Sequence, residues 1–241
     1  MLSNIDLENL ARVAWLLVTA AVLFYASYWA LIIRRALAVQ SYRNQALGVA
    51  LIALFQGVTT IGFAGTEGAS GRTPLDLLAL GANTILFLFV FYWIDASVLA
   101  AKRSDPLLRD TLHWRSLRLV LWPLIISFAA AAVVSNFSLP FNIILTLVAG
   151  AASLPVAARR SRDPTMRRHL IWFGLYAAFL LAFFFNLGGL LNVSIGSPAS
   201  FVFLGIGSLM YFAASYCLYR SAVSLAPLRQ LPESVYAQNN R

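Results

Sequence analysis

The sequence predicts an all-helical, seven-transmembrane bundle: a polytopic integral membrane protein with its N-terminus outside and its C-terminus inside. Three observations predict it. The apolar residues fall in long blocks, charged residues are scarce, and nearly all the basic ones gather on one side of the alternating blocks. Hydrophobic residues make up 60% of the chain and charged residues 11%, against roughly 45–50% and about 25% in an ordinary soluble domain. A bilayer-spanning helix needs about 20 mostly apolar residues, and seven blocks of about that length follow one another with short connections. They form one transmembrane domain, residues 1–219, and leave a short cytoplasmic tail, 220–241.

Each block has its own marks. The first, 10–33, is closed by Arg34 and Arg35. The second, 46–65, follows the basic stretch "RRALAVQSYRNQ" and carries Gln56, Thr59 and Thr60 on one helical face at i, i+3, i+4 spacing. The third, 75–101, holds Asn83, Thr84 and the one acidic residue well inside a span, Asp95, before ending at Lys102 and Arg103. The fourth, 117–134, contains Pro123 and the small run Ala129–Ala132. The fifth, 140–158, has the small stretch Ala149–Ser153 and Pro155, and ends at Arg159 and Arg160. Small residues let helix backbones approach closely. The sixth, 169–191, includes Asn186, and the seventh, 201–219, carries the stripe Ser208, Tyr211, Ser215 and Tyr219.

Orientation follows from charge. Of the 18 Lys and Arg residues, Arg12 and Arg72 fall on the side of the N-terminus, and the other sixteen on the opposite side. Short cytoplasmic loops carry such an excess. The net charge of +9 is therefore a topology signal and a contact for the anionic headgroups of the lipid bilayer, and nucleic acid is excluded as a partner.

The chain says one thing twice. "KRSDPLLRDTLHW" begins at Lys102 and "RRSRDPTMRRHLIW" at Arg159; both join an outgoing span to a returning one on the inner side. Asp105 and Asp163 are placed to cap the next helix, with Pro106 and Pro164 at its first position. Arg109 and Arg167 are expected to face headgroup phosphates, and Trp114 and Trp172 to mark the membrane interface. The segment Leu107–Leu117 segregates apolar and basic faces and is expected to lie partly in the membrane plane. The inner loops offer Arg103, Arg109, Arg115, Arg160, Arg167 and Arg168 as contacts for lipid or for a cytoplasmic or membrane protein partner.

An ionisable residue inside a membrane span marks function by default. Asp95 shares a face with Thr84, Leu88, Phe91 and Tyr92, and it is read either as a proton, ion or ligand contact or as a group satisfied by Tyr or Ser hydroxyls or by a loop Arg. Polar uncharged residues within spans commonly tie helices together at about 0.6 kcal/mol each, but a pocket between helices uses the same types. As a set, Asp95, Gln56, Thr59, Asn83, Thr84, Asn186, Tyr92 and Ser215 mark a ligand-binding cavity or ion pathway, with Gln56, Thr59, Asn83, Thr84 and Asn186 in the middle or outer half of the membrane.

Other chemistries lack their residues. The topology is rhodopsin-like, but the seventh block, "FVFLGIGSLMYFAASYCLY", has no lysine for a retinal Schiff base; Lys102 is the chain's single lysine. The Asp-Arg-Tyr and Asn-Pro signatures of G-protein-coupled receptors are absent. Cys217 has no internal disulfide partner and reads as a small packing residue. His113 and His169 are not paired for haem. No cofactor, metal site or catalytic set is expected, and the protein is not expected to be an enzyme. Asn136-Phe-Ser and Asn192-Val-Ser are glycosylation sequons on the outer side. The function expected is a receptor-like or sensory membrane protein of a plasma membrane or bacterial or archaeal inner membrane. The alternatives are a small proton-coupled carrier using Asp95 and a non-catalytic subunit of a larger membrane complex.

Overall fold

A computed structural model describes residues 4–37, 40–66, 74–104, 114–134, 138–190 and 197–226. All the regular structure among them is helical: α1 (Asn4–Ala36), α2 (Gln40–Thr66), α3 (Pro74–Ser104), α4 (Trp114–Val134), α5 (Ser138–Arg160), α6 (Pro164–Leu190) and α7 (Pro198–Val223). Every apolar block falls within one of them, save Leu191 at the end of the sixth, which lies outside the described residues. Among the described residues, six of the seven hold a stretch long and apolar enough to cross a membrane, and α4 holds the apolar stretch Ser116–Ala131. The chain is thus a helical, multi-pass membrane protein.

Local chemistry sets the helix ends. Asp163 caps α6 as its position predicts: its Oδ1 accepts from the Thr165 N–H at 2.8 Å, and Pro164 opens the helix where no N–H is needed. Ser197 does the same for α7, its Oγ accepting from the Ser200 N–H at 3.2 Å with Pro198 next in line. Asp105, Pro106, Arg109 and His113 lie outside the described residues, as do both sequon asparagines. So does most of the segment proposed to lie in the membrane plane; its last residues, Trp114–Leu117, already belong to α4.

Six helices pack as a closed ring, each against its neighbour in the order α1, α2, α3, α5, α6, α7 and back to α1. α4 lies outside the ring against α3 and α5. The shared core draws on every helix, from Leu23 and Ala26 through Ile52, Phe91, Ile125, Leu147 and Phe173 to Leu218. Large apolar side chains also face outward, among them Leu119 at 76% exposure and Leu209 at 65%. Water would penalise that surface, whereas lipid solvates it.

Two glycines permit the closest approaches. A Cβ on Gly48 would stand 2.3 Å from the Trp93 ring, and one on Gly150 would stand 2.7 Å from Ile94 and 3.1 Å from Ala177. Gly150 falls in the small stretch 149–153 flagged by the sequence, and it lets α5 press against both α3 and α6.

One end of the bundle is basic. The Tyr42 hydroxyl near the start of α2 bonds the Asp163 carboxylate, which joins the start of α2 to the α5–α6 connection. Ile33 and Leu37 at the end of α1 pack with Ala46 and with Leu225 just past α7. His169 in the second turn of α6 meets Ser221 in the last turn of α7. Arg34, Arg35, Arg43, Arg159, Arg160, Arg162, Arg167, Arg168 and Arg220 all belong to this end.

Candidate functional site

In the half of the bundle away from the basic end, five helices enclose a cavity of about 240 Å³. Its walls are apolar and aromatic: Trp15 and Leu16 of α1, Leu86 and Phe87 of α3, Leu180, Phe183, Phe184 and Leu187 of α6, Phe203 and Leu204 of α7. Phe183 stacks on Tyr211 with centroids 4.8 Å apart, and Phe87 meets Phe184 edge-on at 5.8 Å. Polar groups enter at Thr19, Gln56, Thr59, Thr60, Asn83, Asn186, Ser208 and Tyr211. No charged side chain is among the described lining residues.

The cavity floor is a hydrogen-bonded knot centred on Gln56, which is 2% exposed. Tyr176, reaching across the ring from α6, donates to Gln56 Oε1 at 2.8 Å. Thr60 spends its one proton on the Gln56 backbone carbonyl at 2.7 Å. The Tyr211 hydroxyl, 2.6 Å from Thr60 Oγ1, must therefore donate to it. The Gln56 carboxamide also bonds the Tyr211 hydroxyl. Three helices, α2, α6 and α7, are fastened at mid-height by one glutamine and two tyrosines. Further out, Asn186 donates to the Phe203 carbonyl at 2.7 Å, packed so closely over Gly207 that a Cβ there would stand 2.6 Å from its Nδ2.

The residues expected to form a site divide. Gln56, Thr59, Asn83 and Asn186 line the cavity, together with Thr60, Ser208 and Tyr211. Thr84 is buried but is not part of the lining. Ser215 is buried one turn below Tyr211, where it donates to the Tyr211 carbonyl at 2.9 Å. Tyr92 is the clearest departure: it is 50% exposed on the bundle exterior, stacked against Phe89 and edge-on to Trp93. It stands one residue, about 100° round the helix, from Phe91, which is fully buried, enough to turn it out of that face.

Asp95 does not reach the cavity either. Its Oδ1 accepts from the Trp114 indole at 2.7 Å; its Oδ2 accepts from the Trp122 indole at 3.1 Å and pairs with Arg118 Nη2 at 2.8 Å. Trp114, Arg118 and Trp122 recur every four residues along α4, so one stripe of that helix clasps a single carboxylate of α3. The partners are neither the Tyr or Ser hydroxyls nor the loop arginine that the sequence reading weighed. Trp114 is accordingly not an interface marker: it is 2% exposed and spends its N–H on Asp95.

Among the inner-loop arginines, Arg160, Arg167 and Arg168 are exposed at the basic end. Arg167 turns its guanidinium back onto the Ser161 carbonyl, with bonds of 3.2 and 2.8 Å, so its first partner is the end of α5 rather than a headgroup. Trp172 is half-buried beneath the Arg220 guanidinium, 5.1 Å from its ring. Arg103 and Arg115 fall in the last turn of α3 and the first of α4, with side chains outside the described set, as is all of Arg109.

The sequence reading missed Tyr176, Trp15 and Thr19, and it gave the α4 tryptophans no joint role. For the tryptophans a signal existed: W-x3-R-x3-W is a single helical stripe. Tyr176 had none, because one tyrosine in an apolar span carries no address. Compared with protein-family models, with curated proteins and with solved structures, the chain finds no match.

Proposed function

We propose that this protein is a seven-transmembrane, receptor-like or sensory membrane protein that binds a small neutral molecule in the cavity between α1, α2, α3, α6 and α7. The observation that carries the reading is the lining itself: aromatic and aliphatic walls, carboxamides and hydroxyls at the floor and rim, and, among the described residues, no ionisable side chain but the Tyr211 phenol. Such a site favours an apolar body with one or two hydrogen-bonding groups and penalises a charged ligand, which would be desolvated without a counter-ion. Its volume equals that of about eight liquid waters, which fits a ligand on the order of ten non-hydrogen atoms.

The basic end would be the output surface, in contact with anionic headgroups and a protein partner, and the role would be non-enzymatic. The Tyr42–Asp163 bond supports the seven-span count: α2 to α5 must return the chain to the end it left, which takes an even number of crossings. With the basic end inside, the N-terminus lies outside, in a plasma membrane or a bacterial or archaeal inner membrane. A carrier that titrates Asp95 is the weaker reading, because that carboxylate is already occupied by Arg118 and two indoles.

The test is a thermal-shift screen of neutral fragments against the full chain in nanodiscs. A binder should raise the melting temperature, and both Gln56→Ala and Asn186→Ala should abolish the rise. A screen in which only charged compounds shift the protein, or in which both variants respond like the parent, refutes the assignment.

A further inference from the structure

A second buried polar region lies apart from the cavity, on α5. Asn142 and Thr146 are 0% exposed and Ser153 is 8%. At 100° per residue all three fall within about 40° of one another round the helix. Asn142 Nδ2 and Oδ1, Thr146 Oγ1 and Ser153 Oγ have no hydrogen-bond partner among the described residues. Elsewhere in the bundle Thr59, Thr60, Ser97 and Ser215 each donate to a backbone carbonyl three or four residues back; Thr146 and Ser153 do not. Buried polar groups in folded proteins are paired, with protein or with ordered water, in the great majority of cases.

Gly150, between Thr146 and Ser153 in sequence and about 40–80° round the helix from the three polar groups, touches Ile94 of α3 and Ala177 of α6. The polar groups flank the seam between those two helices. α3 and α5 run in the same direction, and α6 runs against them. Counting eight residues back from the Gly150 contact sets Asn142 level with Leu86 and Phe185, one side-chain layer behind the cavity wall formed by Leu86, Phe87 and Phe184.

We infer that this seam is a built water site: one or two ordered waters bridge Asn142 and Thr146, whose positions lie about 6 Å apart along the axis, and a separate water serves Ser153. The ligand class is set by the donors. One carboxamide and two hydroxyls suit a neutral partner that both donates and accepts, and buried waters make about three such bonds. A cation would need a carboxylate; α5 has none, and Asp95 is held by Arg118. A larger molecule is barred by the close contacts at Gly150. That same pinch divides the two water positions, so the seam is a pair of sites and not a continuous file for protons or ions. The inference does not depend on the cavity holding a ligand.

Two measurements on the full chain in nanodiscs test it. X-ray hydroxyl-radical footprinting in ¹⁸O-labelled water should oxidise buried neighbours of the site, Leu147 and Leu86, on the fast timescale of bound water, and N142L/T146V should remove that label. Asn142→Leu and Thr146→Val should each lower the melting temperature by about 2–4 °C, since each breaks a water bridge. A dry seam gives the opposite sign, because the same substitutions then delete unpaired groups and raise the melting temperature. Absence of label in the parent, or a melting temperature that rises or stays put, overturns the proposal; the footprint of the parent decides even if a variant fails to fold.

Discussion

Replacing Asp95 with alanine should detach α4 from the bundle while leaving the six-helix ring closed. The substitution removes the acceptor of three interactions, and all three donors, Trp114, Arg118 and Trp122, sit on α4. Interhelical hydrogen bonds in bilayers average about 0.6 kcal/mol, so the two indole bonds supply about 1.2 kcal/mol together. The Arg118 contact is a bond between charged groups, worth roughly 1.5–3 kcal/mol. Arg118 is 35% exposed and can turn toward headgroups once released, which favours the lower part of that range. The expected loss is about 3 kcal/mol. Because it falls on one helix, the assay must be local. Hydrogen exchange in nanodiscs should show protection of the α4 amides reduced on the order of 100-fold, with α1, α2 and α7 unchanged.

Asp95→Asn keeps one carbonyl acceptor and loses the charge, so it should cost about half as much. In a cycle with Arg118→Leu the two changes should couple by at least about 1 kcal/mol. An Asp95→Ala protein that loses less than about 0.6 kcal/mol, or that loosens uniformly across all seven helices, refutes the clasp.

Gln56→Ala should leave the Tyr176 and Tyr211 hydroxyls short of a partner and cost about 1–3 kcal/mol, read as a lower melting temperature without added ligand; Tyr176→Phe should cost less, since it strands one group, Gln56 Oε1, rather than two. Gly48→Ala drives a Cβ into the rigid Trp93 ring and should destabilise by about 1–3 kcal/mol, whereas Gly62→Ala, with nothing within 4 Å, should be neutral or stabilising by up to about 1 kcal/mol; equal effects at the two positions would contradict the packing. A tag on the C-terminus of the protein in sealed cells should resist an impermeant label until the membrane is opened, and labelling of intact cells would invert the proposed orientation.

How much of this the sequence disclosed depends on the range of the interaction. Helix existence follows from block length, and helix ends from local pairs such as Asp163-Pro164, so both are legible along the chain. The cavity residues Gln56, Thr59, Asn83 and Asn186 are legible in a weaker way, because polar groups in apolar spans are conspicuous. What they bond is not legible: Gln56 and Tyr176 are 120 positions apart, and only the closure of the ring brings them together. Tyr92 was misplaced for a different reason. At 100° per residue, a face drawn through Thr84, Leu88 and Asp95 is wide enough to admit a residue that a small rotation sends outside. Asn142 and Thr146 escaped notice because an asparagine and a threonine in a short span resemble the ordinary polar ties of a helix pair.

Hydropathy also leaves a pairing unread at α4, the Asp95 clasp. Helix α4 has 21 residues, about 31 Å at 1.5 Å per residue, close to the roughly 30 Å hydrocarbon core. In its second turn Arg118 counts against insertion when read alone, as Asp95 does in α3. In the folded protein these are not two charges facing lipid. They form one neutral cluster, with both carboxylate oxygens bonded by indoles and the guanidinium free to extend its remaining N–H groups toward the membrane surface. A window scanned along the chain scores each charge separately and cannot register the pairing. In the seven-span reading, Trp114, Arg118 and Trp122 fasten α4 to a buried carboxylate of its neighbour, so α3 would have to be in place before that clasp could close.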